Sequence, residues 1–228
     1  EAQVWDGSAW GNSVVLGSMN QVAHEGMAVE YEESGNQAMV TVSNGTNGNF
    51  AWAAWDSDTD QWSTPTTQTI GNDFEAGMIA RDAGSDRLAL CYADEDDDLG
   101  TIIWDGDAWA VFVAGTNEFD GTGTTNNRAG SGTVEGRPIS CQFETTTGRD
   151  GYLMVAYSDN AAGRYEYWNG SVYSGEVSVS SIQDSWTVAS IRTGAGLILS
   201  LFHDDINGRY DFSHWDGSSW SVLQTLDN

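Results

Sequence analysis

An arginine and a carboxylate recur two residues apart in Gly163-Arg164-Tyr165-Glu166-Tyr167 and in Gly208-Arg209-Tyr210-Asp211-Phe212. Residues i and i+2 of an extended strand share a face, so each pentapeptide sets a guanidinium beside a carboxylate, with an aromatic ring adjacent. That set can donate to and accept from sugar hydroxyls while a ring covers an apolar sugar face. It can equally close on itself as an in-strand or inter-strand ion pair. Asp56, Asp58 and Asp60 alternate in a second stretch, and alternating carboxylates before a turn can wrap a hard cation such as Ca²⁺ with oxygens. The glycine and distal Glu of an EF-hand loop are missing there, so solvated charge is the simpler account. Acidic loops at 94–98 and 203–205 are of the same kind.

No catalytic constellation accompanies these groups. The histidines, His24, His203 and His214, fall in no HExxH spacing, and neither a GxSxG elbow nor a glycine-rich phosphate loop occurs. Carboxylates are so abundant that some pair will stand at glycosidase separation by chance, which leaves that criterion uninformative. The eight arginines are spread over the chain rather than clustered for a substrate carboxylate. The chain therefore reads as non-enzymatic, with a glycan-acting hydrolase as the third choice of function.

The elements that must position these residues are announced by paired aromatics. Trp5-Asp-Gly-Ser-Ala-Trp10, Trp104-Asp-Gly-Asp-Ala-Trp109 and Trp215-Asp-Gly-Ser-Ser-Trp220 are copies of one motif, with looser versions at Trp55–Trp62 and Trp168–Tyr173. Successive first tryptophans lie 50, 49, 64 and 47 residues apart. A fixed period of that size marks one supersecondary unit repeated in tandem. Asp-Gly or Asn-Gly between apolar runs supplies the positive φ of a tight hairpin turn, and the flanking aromatics form a cross-strand pair.

A second hairpin precedes four of the motifs, which gives four strands, A to D, per repeat. Strand B is apolar on both faces: Leu88, Leu90 and Tyr92 point one way, Ala89, Cys91 and Ala93 the other. Such a strand needs neighbours above and below its sheet, and four-stranded sheets stacked around an axis supply them. The expected fold is all-β, a β-propeller of four-stranded blades, with Met39, Leu90, Met154 and Leu199 buried. Residues 26–68, 76–114, 136–179 and 186–225 form the repeats, with residues 115–136 inserted between the second and third. Residues 1–18 are a C–D hairpin with no A–B partner before it. The chain is thus either five blades with one incomplete or part of a longer array. A free strand edge invites association, so this hairpin is expected to close on the fourth repeat or to join a second chain.

Composition narrows the partners. Thirty-four acidic residues face eight basic ones, all arginine, for a net charge of −26. That charge repels nucleic acid and anionic membrane surfaces, and without lysine it suits concentrated salt, where self-repulsion is screened. No apolar run reaches the roughly 18 residues of a membrane-spanning helix. An extracellular or cell-surface location, in a saline setting, is the expectation. Cys91 and Cys141 fall on inner strands of adjacent blades, where a disulfide and two buried thiols are both compatible with the sequence. Asn44-Gly-Thr46 and Asn169-Gly-Ser171 match glycosylation acceptors, a pattern too common to weigh.

The strand C–Trp-Asp-Gly-x-x-Trp string resembles the blade signature of the fucose-binding lectin propellers. It also resembles the Trp-Asp-Gly repeat arrays of large bacterial and archaeal surface proteins, and its five copies carry the likeness along the whole chain. The lectin resemblance implies a sugar gripped by an arginine from strand B and a glutamate from strand C, with a tryptophan stacked on it. Strand B here offers Ala38-Met39-Val40 and Leu153-Met154-Val155, and Arg87 stands only at a strand entrance. The candidate sugar-binding residues are therefore Arg164, Glu166, Arg209 and Asp211, with the second motif aromatics Trp10, Trp62, Trp109, Tyr173 and Trp220. The expected function is a non-enzymatic surface module for adhesion, structure or filament assembly. The alternative is a glycan-binding lectin using the grooves between blades, with Ca²⁺ at Asp56, Asp58 and Asp60 as the one cofactor to consider.

Overall fold

A computed structural model describes residues 1–18, 26–44, 48–71, 74–94, 98–110, 118–120, 137–159, 162–183, 185–194, 196–204, 208–222 and 224–226. Most of the insertion, the centres of both acidic loops and Thr46 of the first acceptor sequence lie outside these residues.

The chain opens with a two-stranded hairpin, β1 (Ala2–Trp5) and β2 (Trp10–Val14). Four antiparallel sheets follow in chain order. Blade 1 is β3 (Met27–Tyr31), β4 (Gln37–Ser43) and β5 (Asn49–Asp56), with an outer strand in two pieces, β6 (Gln61–Trp62) and β7 (Thr66–Thr69). Blade 2 repeats this as β8 (Phe74–Arg81), β9 (Leu88–Asp94), β10 (Leu99–Trp104), β11 (Trp109–Ala110) and β12 (Glu118–Asp120). Blade 3 comprises β13 (Ile139–Phe143), β14 (Leu153–Asp159), β15 (Ala162–Trp168) and β16 (Val177–Gln183). Blade 4 comprises β17 (Ser185–Arg192), β18 (Ile198–Asp204), β19 (Arg209–Trp215) and β20 (Gln224–Leu226). Strand A of each blade lies against strand A of the next, β3 on β8, β8 on β13 and β13 on β17. The innermost strands thus gather at an axis and the Trp-Asp-Gly hairpins lie outside: the fold is a β-propeller of four-stranded blades.

The core lies between blades. In β9, Leu88, Leu90 and Tyr92 join Met39, Phe50 and Ile102 on the blade 1 side. Its small residues Ala89, Cys91 and Ala93 face Ile139, Cys141 and Val155 of blade 3. There the two cysteines are joined as a disulfide with their Cα atoms 6.4 Å apart, so the pair is a staple between inner strands. Met39, Leu90 and Met154 are buried as expected, whereas Leu199 is only half-buried. Leu199 occupies the blade 4 position that Met39 holds in blade 1 and Met154 in blade 3, facing the next blade, and no described blade follows the fourth.

The N-terminal hairpin packs on blade 1 rather than on the fourth repeat. Its Val14 and Leu16 sit against Val42, Ala51 and Ala53. The Trp62 indole N–H donates to the Asn12 carbonyl at 2.7 Å, and the Asn12 amide donates to the Asp60 carbonyl at 2.8 Å.

Candidate functional site: the clasps between blades

The motif itself builds a turn. In all five copies the Oδ1 of the residue after the first tryptophan accepts backbone N–H groups two and three positions on. Distances are 2.7 and 2.8 Å at Asp6, 3.0 and 2.9 Å at Asp105, and 2.8 and 2.9 Å at Asp216. Asn169 does the same at 3.0 Å and Asp56 at 2.8 and 3.3 Å. These donors favour the charged carboxylate, so Asp6 and Asp105 titrate below the usual range and Asp216 at about 2. The positive φ falls on Gly7, Gly106, Gly170 and Gly217; in the glycine-free copy Asp60 takes it, at 54°.

Asp56 is therefore the carboxylate of this turn. Asp58 accepts from the Asn36 amide at 3.0 Å, and Asp60 accepts from the Trp55 indole at 3.0 Å. Among the described residues no cluster of three metal-ligating side chains occurs.

The second motif aromatic turns toward the preceding unit in each of the four blades. Trp62 reaches Asn12, and Trp109 meets Phe50 edge-on at 5.4 Å. The Tyr173 hydroxyl meets the Thr101 hydroxyl, and Trp220 packs on Tyr165 at 5.5 Å. Burial pushes the Tyr173 phenol up. Trp10, with no described blade before it, is 67% exposed. These aromatics thus reach across to the neighbouring unit, Trp10 excepted.

The arginine–carboxylate pairs of strand C separate in role. Arg164 reaches Glu176 at 3.5 Å and the Ser178 hydroxyl, both toward strand D, while buried Glu166 receives the Tyr157 hydroxyl at 3.3 Å. Arg209 pairs with buried Asp211 at 3.1 Å, and Thr225 donates to the other carboxylate oxygen at 2.6 Å. The four do not converge on one cleft.

A different set does converge. The residue that ends strand A or follows it is acidic in three repeats, Glu32, Asp82 and Glu144, and each acid is buried. The Glu32 carboxylate accepts the Trp104 indole N–H at 2.6 Å, and Glu144 accepts that of Trp215 at 3.1 Å, so each joins its blade to the first motif tryptophan of the next. In two repeats an arginine stands five residues after the acid. Arg87 holds Asp82 at 3.0 and 2.5 Å; Arg149 holds Glu144 at 2.8 and 2.5 Å, both through Nε and Nη2. The Arg87 guanidinium lies 5.6 Å from the Phe143 ring centre and 5.8 Å from that of Trp168. That of Arg149 lies 4.7, 4.2 and 5.3 Å from Tyr152, Tyr167 and Trp215.

These clasps carry the electrostatics of the junctions. Burial opposes the charge of Arg149, but the hydrogen bonds and charge of Glu144 outweigh it and its pKa rises. Burial likewise pushes Asp82 up, yet hydrogen bonds from Ser85, Arg87 and Gly84 prevail and its pKa falls. Glu32 has no arginine at the fifth position, which is Gln37, and burial raises its pKa despite the indole donor. The arginine side chains retain 30% and 17% exposure, at Arg87 and Arg149 respectively. A guanidinium has five N–H donors and the bidentate contact uses two. Each arginine clasp thus presents a charged donor at one blade junction, seated on a buried carboxylate, and beside Arg149 the rings of Tyr152 and Tyr167 are half-buried. Of these acids and arginines sequence reasoning singled out only Arg87, as standing at a strand entrance; the signal was an acid at one place in the A–B turn and an arginine five residues on, visible only when the repeats are aligned.

No family model and no curated protein matches the chain. Solved structures do. The six-bladed fungal lectin of Aleuria aurantia aligns over 97% of this chain and 68% of its own, with a TM-score of 0.59 and 15% identity. The SapL1 lectin, solved in complex with alpha methyl fucoside, aligns over 89% of this chain and 62% of its own, with a TM-score of 0.53 and 17% identity. The Dos1 propeller aligns over 89% and 46%, with a TM-score of 0.51 and 11% identity. At such identities the likeness is one of fold, and the fold shared is a β-propeller of four-stranded blades.

Proposed function

We propose that this chain is a glycan-binding propeller module that holds a sugar at the junctions between blades, without catalysis. The observation that carries the reading is the repeated acid–arginine–aromatic clasp at Asp82/Arg87 and Glu144/Arg149, whose arginines are partly open to solvent. A guanidinium donates to hydroxyl oxygens, the buried carboxylate holds it in place, and Tyr152 and Tyr167 offer rings to an apolar sugar face. Similar folds in the Aleuria aurantia and SapL1 lectins, the former also solved in complex with alpha-methyl-L-fucoside, support the same reading. The net charge of −26 repels sialylated and uronic glycans, so the ligand is a neutral sugar.

A broad glycan array followed by calorimetry tests this. Arg149→Lys keeps the charge that buried Glu144 needs but loses the planar fork. Losing a charge-assisted hydrogen bond of 1.5–3 kcal/mol weakens binding by about ten- to a hundredfold, with the unfolding temperature little changed. An array on which no neutral glycan is retained would sink the proposal. Binding that survived both Arg149→Lys and Arg87→Lys would move the site away from the clasps.

A further inference from the structure

The N-terminal hairpin and blade 1 enclose a cavity of about 700 Å³ with an unusual outline. One wall is the whole of β1, and the other is the face of β3 and β4 turned away from blade 2, with Val29 and Val40 at its centre. On this face Met27, Val29 and Tyr31 are 59%, 63% and 49% exposed. In the four complete blades strand C is hydrogen-bonded along its inner edge to strand B, as β5 is to β4 and β10 to β9. β1 carries the first motif tryptophan and so is a strand C, yet among the described strands it pairs only with β2.

The other end of the array shows the same chemistry. The face of blade 4 away from blade 3 carries Ile191, Leu199, Leu201 and Phe212 around a cavity of about 370 Å³, and Ile191 is 62% exposed. Tandem-repeat arrays need polar outer faces on their terminal units to stay soluble, and neither end here has one. The exposed residues match in position those that form the core between blades 1 and 2, 2 and 3, and 3 and 4.

We infer that these two faces are docking surfaces for one further stretch of the same kind of polypeptide: one whole blade followed by an A–B hairpin. The blade stacks on Ile191 and Leu199. The hairpin seats its strand B antiparallel on the free edge of β1 and lays its apolar side chains on Val29 and Val40. The four blades and the C–D hairpin then complete a ring of six, the number of blades in the Aleuria aurantia lectin, of which this chain spans 68%. Pairing of an added strand to an exposed edge supplies affinity through backbone hydrogen bonds, and the facing pocket supplies selectivity. The inference is independent of sugar binding.

The chain itself contains a probe of the required strand order. Residues 137–204 run A-B-C-D-A-B, and with Cys141→Ser they can be fused after residue 228. The expected result is a monomeric fusion that unfolds at higher temperature, protects β1 amides from hydrogen exchange and stops binding an apolar dye. Val29→Glu and Val40→Glu should remove the β1 protection while leaving blade 2 intact. A fusion that left dye binding, β1 exchange and unfolding temperature unchanged would overturn the inference. So would a dimer of the unmodified chain that already buries Val29, Val40 and Ile191, which would assign both faces to a second copy.

Discussion

At the scale of single residues, carboxylates divide by what donates to them. Asp6, Asp105 and Asp216 are held charged by backbone N–H groups, so the folded pKa lies below the unfolded value. The stability they contribute is complete above an unfolded pKa of about 3.9 and is lost as pH falls through the folded value, which for Asp216 is about 2. Glu32 runs the other way, because burial raises its pKa. Its charged form is a cost at neutral pH that disappears as pH falls through the raised folded value. Glu32→Gln keeps an acceptor for the Trp104 indole and removes the buried charge. Its unfolding temperature should exceed that of the parent at pH 7, with the difference closing under acid. Thermal unfolding across pH checks this, and a variant less stable than the parent at neutral pH would show that the ionic hydrogen bond outweighs the burial.

At the scale of elements, a blade cannot bury both its faces alone, and each junction is fastened in more than one way. Between blades 2 and 3 the small side chains of β9 bring the sheets close enough for Cys91 to reach Cys141 of β13, closing a span of 50 residues. A loop of that length loses enough unfolded-chain entropy to stabilise the fold by on the order of 4 kcal/mol. The double replacement of Cys91 and Cys141 by Ala should lower the denaturation midpoint accordingly, read by urea titration with and without reductant. Equal midpoints for parent and variant under oxidising conditions would mean that the apolar contacts hold that junction by themselves.

At the scale of the molecule, net charge and the open ends decide behaviour together. A charge of −26 on 228 residues destabilises the compact state by self-repulsion, which salt screens over about 10 Å at 0.1 M and 3 Å at 1 M. The unfolding temperature should therefore climb steadily between those salt concentrations. A temperature independent of salt would remove the argument for a saline setting. Rising salt also weakens repulsion between copies, so light scattering in the same series reports whether the apolar faces then draw chains together.

The sequence by itself determined the repeat, the four-stranded unit and the two-faced burial of strand B, because a period-2 pattern and paired aromatics are local signals repeated five times. It also identified the turn at Trp-Asp-Gly, though not that the aspartate caps backbone N–H groups while the glycine alone takes the positive φ. Only the tertiary structure decided what the side chains do between blades. Glu32 and Trp104 are 72 positions apart, and Glu144 and Trp215 are 71 apart. No local pattern distinguishes a carboxylate that clasps the next blade from one left in water. The same limit applied to Arg164, whose partners Glu176 and Ser178 are chosen by how strand D lies against strand C, whereas Arg209 pairs with Asp211 of its own strand. It applied also to the N-terminal hairpin, which packs on the repeat that follows it and leaves a cavity between them, because a strand's edge is free or covered only once neighbouring sheets have taken their places.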